Sequence, residues 1–167
     1  DFGALNIDAE LIAAQNGNQI ALSNGCVCCS IGDDFTRALF ALLQEDPLPD
    51  HIIVEASGVA DPARIAAFAS IDKQLRLNGV ATLVDATGYQ THAHDPHLAD
   101  NYTQQIKAAD VLLISKTDLV TRAEIDAVHT ALAALKPDTA RLEISHGNAP
   151  LDIILGIDGT LPDMTVS

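Results

Sequence analysis

The chain has 167 residues, of which 48 % are apolar, 4 % aromatic and 19 % charged. That length supports one domain with a sizeable core. Its formal charge of −14 repels nucleic acid and anionic membranes, so neither is an expected partner; cations are the natural small ones. No apolar run reaches transmembrane length, and no signal-peptide pattern or basic tail is recognisable.

In chain order, Asp1-Phe2-Gly3 already reads as structured sequence. An extended run, Gln19-Ile20-Ala21-Leu22-Ser23, leads into Asn24-Gly25-Cys26-Val27-Cys28-Cys29-Ser30, which holds all three cysteines. Phe35, Leu39, Leu42 and Leu43 then form an apolar stripe at helical spacing. His51-Ile52-Ile53-Val54-Glu55, Gly79–Asp85 and Asp110–Ser115 are short apolar runs with polar bounds, the pattern of strands buried on both faces of a parallel sheet. Leu142-Glu143-Ile144-Ser145 reads as a further strand. Asp61-Pro62 is an N-cap followed by proline at the first helical position. Thr121-x-x-Glu124 is a capping box opening a helix with Ile125, Val128, Leu132 and Leu135 on one face, ended by Pro137. Alternating strands and helices predict an α/β fold, a mostly parallel, doubly wound sheet flanked by helices, with ligands at the carboxyl ends of the strands.

Three short segments carry chemistry. Cys26, Cys28 and Cys29 crowd three soft ligands onto one loop, a partial metal site open to a fourth ligand. Thiolates suit Zn²⁺, Co²⁺ or Cu⁺ better than Mg²⁺ or Ca²⁺. In an extended segment Cys26 and Cys28 project to one side and Cys29 to the other, so a turn is needed to converge them. A disulfide between adjacent cysteines would be strained. The alternatives are buried free thiols or redox-active cysteines in another nucleotide-dependent enzyme. Clustered cysteines with no distant partner point to a reducing, cytoplasmic setting.

Glu55, at the end of its expected strand and followed by Ala56-Ser57-Gly58, places an acid where it can hold Mg²⁺ through water, and Gly58 where a backbone N–H can approach a phosphate. A solvated carboxylate before a tight turn is the plainer reading. Ser115-Lys116-Thr117-Asp118 follows an apolar strand. In GTPases the Asp of an Asn/Thr-Lys-x-Asp segment accepts hydrogen bonds from guanine N1–H and its exocyclic amine, while the Lys stem packs over the ring; adenine lacks that donor pair. The bland alternative is a charged helix-entry loop. His92-x-His94-x-x-His97 is a second cluster in a polar stretch, more simply read as incidental loop histidines than as a metal site.

Together these segments resemble the CobW-like family of P-loop GTPases, the metallochaperone and cobalamin-synthesis proteins. Asp1-Phe2-Gly3 with Asn6-Ile7-Asp8 looks like that family's switch I segment. Gly25-Cys26-Val27-Cys28-Cys29 matches its metal motif, and Glu55–Pro62 its Walker B segment. Val84-Asp85-Ala86, Gln105-Ile106 with Ala109-Asp110, and Ser115–Leu119 follow in the family's order. Ser145, His146 and Gly147 fall where the last loop of the guanine pocket is expected. The departures are a Ser in place of the usual Asn at 115, Ala4 where members often carry an acid, and no Gly-x-x-x-x-Gly-Lys-Ser/Thr loop.

The resemblance implies a partial GTPase domain over 1–167, from switch I to the end of the guanine pocket, without the Walker A segment or the C-terminal domain. It implies GTP and Mg²⁺ as ligands and Glu55 as the catalytic residue. Gly58, Ser115, Lys116, Asp118, Ser145, His146 and Gly147 would bind nucleotide; Cys26, Cys28 and Cys29 would take zinc or cobalt for a client metalloprotein. The intact protein would hydrolyse GTP. The chain alone is expected to be inactive and prone to self-association through an uncovered strand edge. A non-enzymatic metal-binding module is the alternative.

Overall fold

The computed structural model describes residues 31–56, 61–89 and 99–156. They fall into two compact units, the first holding 31–56 and the second 61–89 and 99–156. The cysteine segment, Gly58 and the histidine cluster lie outside the described residues.

In the first unit, α1 (Ile31–Leu42) carries the expected stripe. Phe35 and Leu39 are buried, and Leu42 and Leu43 are half-buried. The run His51–Glu55, expected as a strand, is not one: residues 51–56 have no regular structure. Ile53 is 83 % exposed and Val54 43 %. Apolar, β-branched content favours an extended backbone, but a strand also needs a partner for its N–H and C=O groups. None of the described segments pairs with this one.

The second unit opens with α2 (Pro62–Ala67). The Asp61 carboxylate accepts from the Ala63 N–H at 3.0 Å, the cap expected from Asp-Pro. Next come β1 (Ala81–Asp85), α3 (Ala99–Ala108), β2 (Val111–Ser115), α4 (Arg122–Leu135), β3 (Ala140–Glu143) and α5 (Leu151–Leu155). The three strands are parallel in the order β1-β2-β3. Asp85 lies opposite Ser115, and Ile114 opposite Glu143. The last strand begins two residues before the apolar pair that predicted it, because Ala140 and Arg141 complete the ladder beside Val111 and Leu112.

Helices cover both faces. On one, Val84, Leu112 and Ile114 pack with Ile106 of α3 and Val128 and Leu132 of α4. On the other, Val111, Leu113 and Ile144 pack with Leu142 and with Ile154 of α5. The central strand β2 is therefore buried on both sides from Val111 to Ile114, which explains its unbroken apolar sequence. Consecutive parallel strands joined by right-handed crossovers put both connecting helices on one face, as found for α3 and α4.

Polar side chains close the helix ends. The Thr121–Glu124 capping box is complete: the Glu124 carboxylate accepts from the Thr121 N–H and hydroxyl, each at 2.7 Å. The Lys136 ammonium donates to the carbonyls of Lys107 and Ala109 at the end of α3. Arg141 donates to those of Lys136 and Pro137 after α4. Cations thus satisfy the orphan carbonyls at both C-terminal helix ends. At the amino end of the sheet, Asp110 accepts from the Val80 N–H at 2.8 Å and donates its own N–H to the Val80 carbonyl at 2.7 Å, setting the register of β1 on β2.

Candidate functional site at the carboxyl edge of the sheet

Asp85, Ser115 and Glu143 end β1, β2 and β3 along one edge. The backbone turns sharply just past each strand. Ser115 donates its hydroxyl to the Val84 carbonyl at 3.4 Å, and its own carbonyl accepts from Ala86 N–H at 3.0 Å. Lys116 takes the left-handed conformation, φ 57° and ψ 32°. For a residue with a Cβ this costs about 1 kcal/mol, and such local strain concentrates at functional sites. A 3₁₀ turn, Thr117–Leu119, follows and carries Asp118. The Thr117 hydroxyl donates to the Ile144 carbonyl at 3.1 Å, tying this loop to the exit of β3.

That exit is a second tight turn. His146 has φ 51° and Gly147 φ 72°. The Asn148 N–H reaches the Ser145 carbonyl at 3.0 Å, and the Ala149 N–H that of Gly147 at 2.9 Å. Glycine suits the second of two successive left-handed residues, where a side chain would add strain. The turn brings His146 Nε2 to 3.4 Å from Asp118 Oδ2. The Asp118 side chain is 32 % exposed, so its carboxylate faces solvent as an acceptor.

Asp85 completes the group. Its Oδ2 accepts from Lys116 Nζ at 2.6 Å, and its Oδ1 accepts from the Thr87 N–H at 2.8 Å and the Thr87 hydroxyl at 2.6 Å. Burial alone would raise its pKa, but the hydrogen bonds from Lys116 and Thr87 outweigh it and bring the carboxyl to about 2. It is a fixed anion at any ordinary pH.

Of the residues singled out from sequence, Ser115, Lys116, Asp118, Ser145, His146 and Gly147 come together at this edge. Glu55 is exposed in the irregular segment of the first unit, and does not end a buried strand. Gly58, Cys26, Cys28, Cys29, His92, His94 and His97 lie outside the described residues. Among the described residues no cluster of three or more His, Cys, Asp or Glu is placed to hold a metal ion, and no helix is long and apolar enough to cross a membrane. Asp85 was not singled out as a site residue. Parallel pairing supplies the signal that finds it: a strand-terminal acid aligned with Ser115 stands beside the first residue after β2.

Comparison with known proteins identifies the setting. The sequence model of the CobW/HypB/UreG nucleotide-binding domain matches residues 1–143. The chain is 30 % identical over 196 residues to the zinc chaperone CobW of Sinorhizobium sp, covering 98 % of this chain and 55 % of that protein. It is 30 % identical over 176 residues to the zinc chaperone YjiA of Escherichia coli K12, covering 99 % and 53 %. It is 29 % identical over 132 residues to the zinc-regulated GTPase metalloprotein activator 1 of Schizosaccharomyces pombe, covering 77 % and 32 %. The chain therefore spans about half the length of the first two relatives and about a third of the other. No solved structure matches it. With a family match over most of its length and a parallel sheet whose carboxyl edge gathers Lys116, Asp118 and His146, the chain belongs to the CobW/HypB/UreG nucleotide-binding domain family.

Proposed function

We propose that the chain is the guanine-nucleotide-binding part of a zinc-handling GTPase. The observation that carries this is the placement of the Asp118 carboxylate, solvent-facing, between the Lys116 turn and the 145–148 turn at the end of a parallel sheet. Two acceptor oxygens there match the N1–H and amine of guanine, and the pair of donors is absent from adenine. Lys116 supplies a stem to lie against the ring, and the Ser145-His146-Gly147 turn stands beside Asp118 through His146. The names of the relatives, zinc chaperone and zinc-regulated GTPase, support the same reading.

Within it, Glu55 serves Mg²⁺ through water and Gly58 lets the backbone approach a phosphate. Cys26, Cys28 and Cys29 take the transported metal as thiolates. Zinc is the favoured cargo, with cobalt a chemically similar substitute. Binding and hydrolysis of GTP would alter the cysteine loop and release the metal to a client metalloprotein. Clustered thiols with no distant partner favour a reducing, cytoplasmic setting.

The test is nucleotide competition on a protein carrying this chain, using fluorescent GDP with Mg²⁺. GTP and GDP should displace it, and ATP should be weaker by a hundredfold or more, the scale on which a hydrogen-bonding site rejects a ligand lacking its partners. Asp118→Asn exchanges an acceptor for a mixed donor–acceptor amide and should shift preference toward xanthine nucleotides. Equal affinity for ATP and GTP would overturn the guanine reading.

A further inference from the structure

The Asp85–Lys116 pair is a close charge contact at the site edge that the guanine reading leaves unused. Exposed ion pairs usually contribute little, and the Lys116 side chain is 54 % exposed, so a purely stabilising role is a weak explanation. Three observations distinguish this pair from an ordinary surface bridge. The contact is short, 2.6 Å. The acid is held independently by both the N–H and the hydroxyl of Thr87, so its position does not depend on the lysine. The lysine issues from a left-handed backbone, so the direction of its stem is set by the turn that also leads to Asp118.

We infer that Asp85 is a positioning residue for nucleotide binding: it anchors the far end of Lys116 so that the stem lies along the strand edge from β2 to β1 as a preformed shelf for the base. The inference rests on the guanine reading and adds a residue to it. Two physical effects follow. A free lysine stem samples many rotamers, and ordering it on binding weakens affinity; the anchor orders it beforehand. An unanchored ammonium two residues from Asp118 would also be drawn to that carboxylate and would occupy the acceptors that guanine needs. With its charge held by Asp85, Lys116 leaves Asp118 to the turn carrying His146, at a looser 3.4 Å.

The experiment is a double-mutant cycle on fluorescent-GDP affinity, using Asp85→Asn, Lys116→Ala and the pair. Residues that act through one contact are non-additive. Asp85→Asn should weaken GDP by about tenfold, the scale of one charge-assisted contact. The double variant should be no weaker than Lys116→Ala alone. Thr87→Ala, an exposed change that loosens the acid while keeping its charge, should give a smaller loss of about two- to threefold and should also vanish on the Lys116→Ala background. Thermal melts confirm that each variant is folded, and the Thr87 series reads the effect on its own if Asp85→Asn does not fold. Multiplying losses, or parent-like affinity in Asp85→Asn, would overturn the inference while leaving guanine binding intact. A parent that binds no guanine nucleotide would overturn the reading beneath it, and the anchor role with it.

Discussion

Asp85 shows how one side chain can be set by opposing effects. Burial disfavours its charge, but hydrogen bonds from Lys116 and Thr87 favour it more, and its pKa falls from 3.8 to about 2. A carboxyl whose pKa is lower folded than unfolded adds stability above the unfolded value and loses it as pH falls through the folded one. The shift corresponds to at most about 2 kcal/mol at neutral pH, and solvent access to the half-exposed Lys116 reduces that. Acid titration of the unfolding free energy should therefore show a step between about pH 4 and pH 2 in the parent that is smaller in Asp85→Asn. An unchanged step would mean the pair is not formed in solution. Glu143 behaves similarly at the end of β3: the imidazole of His129, with Arg122, holds it below the usual carboxylate range, and the same contacts fasten α4 to β3.

At the scale of elements, local rules were legible where a short segment decides its own structure. The Asp61 cap, the Thr121–Glu124 capping box and the buried stripe Ile125, Val128, Leu132 all follow from residues within one or two turns of each other. The helix end at Pro137 follows too, although Leu135 is 36 % exposed and contributes less to the core than its spacing suggested. Strand identity was less legible. His51–Glu55 and Asp110–Ser115 look alike as sequence, yet among the described residues only the second has partners on both sides; pairing is a long-range property that an apolar run does not encode. The Asp85–Lys116 contact was hidden for the same reason, since it depends on register across 31 residues of chain. The energetic ranking can be checked by chemical unfolding. Leu132→Ala, at a site with no exposure on both α4 and the main core, should cost about 2–5 kcal/mol. Thr121→Ala, which removes a cap on the surface, should cost about 1 kcal/mol. Reversal of that order would mean that α4 is held by its cap more than by the sheet.

For the whole molecule, the proposed nucleotide edge and the cysteine motif are two parts of one proposed cycle, and linkage connects them without requiring any assumed geometry. If GTP lowers the affinity of Cys26, Cys28 and Cys29 for metal by some factor, metal must lower GTP affinity by the same factor. Cobalt makes this measurable, because thiolate ligation gives intense charge-transfer absorption in the near ultraviolet. One Co²⁺ should bind per reduced chain. Affinity should rise with pH, since three thiols must lose protons to ligate. Cys28→Ser should weaken metal binding by at least tenfold and leave GDP affinity in the absence of metal unchanged. Titrating Co²⁺ in GTP-analogue and GDP forms, then nucleotide with and without Co²⁺, gives both sides of the cycle. Equal factors different from one establish coupling between nucleotide state and metal. A factor of one would leave two independent sites on one chain, and a triple Cys→Ser variant that binds Co²⁺ as tightly as the parent would move the metal site to other residues, with His92, His94 and His97 the next to replace.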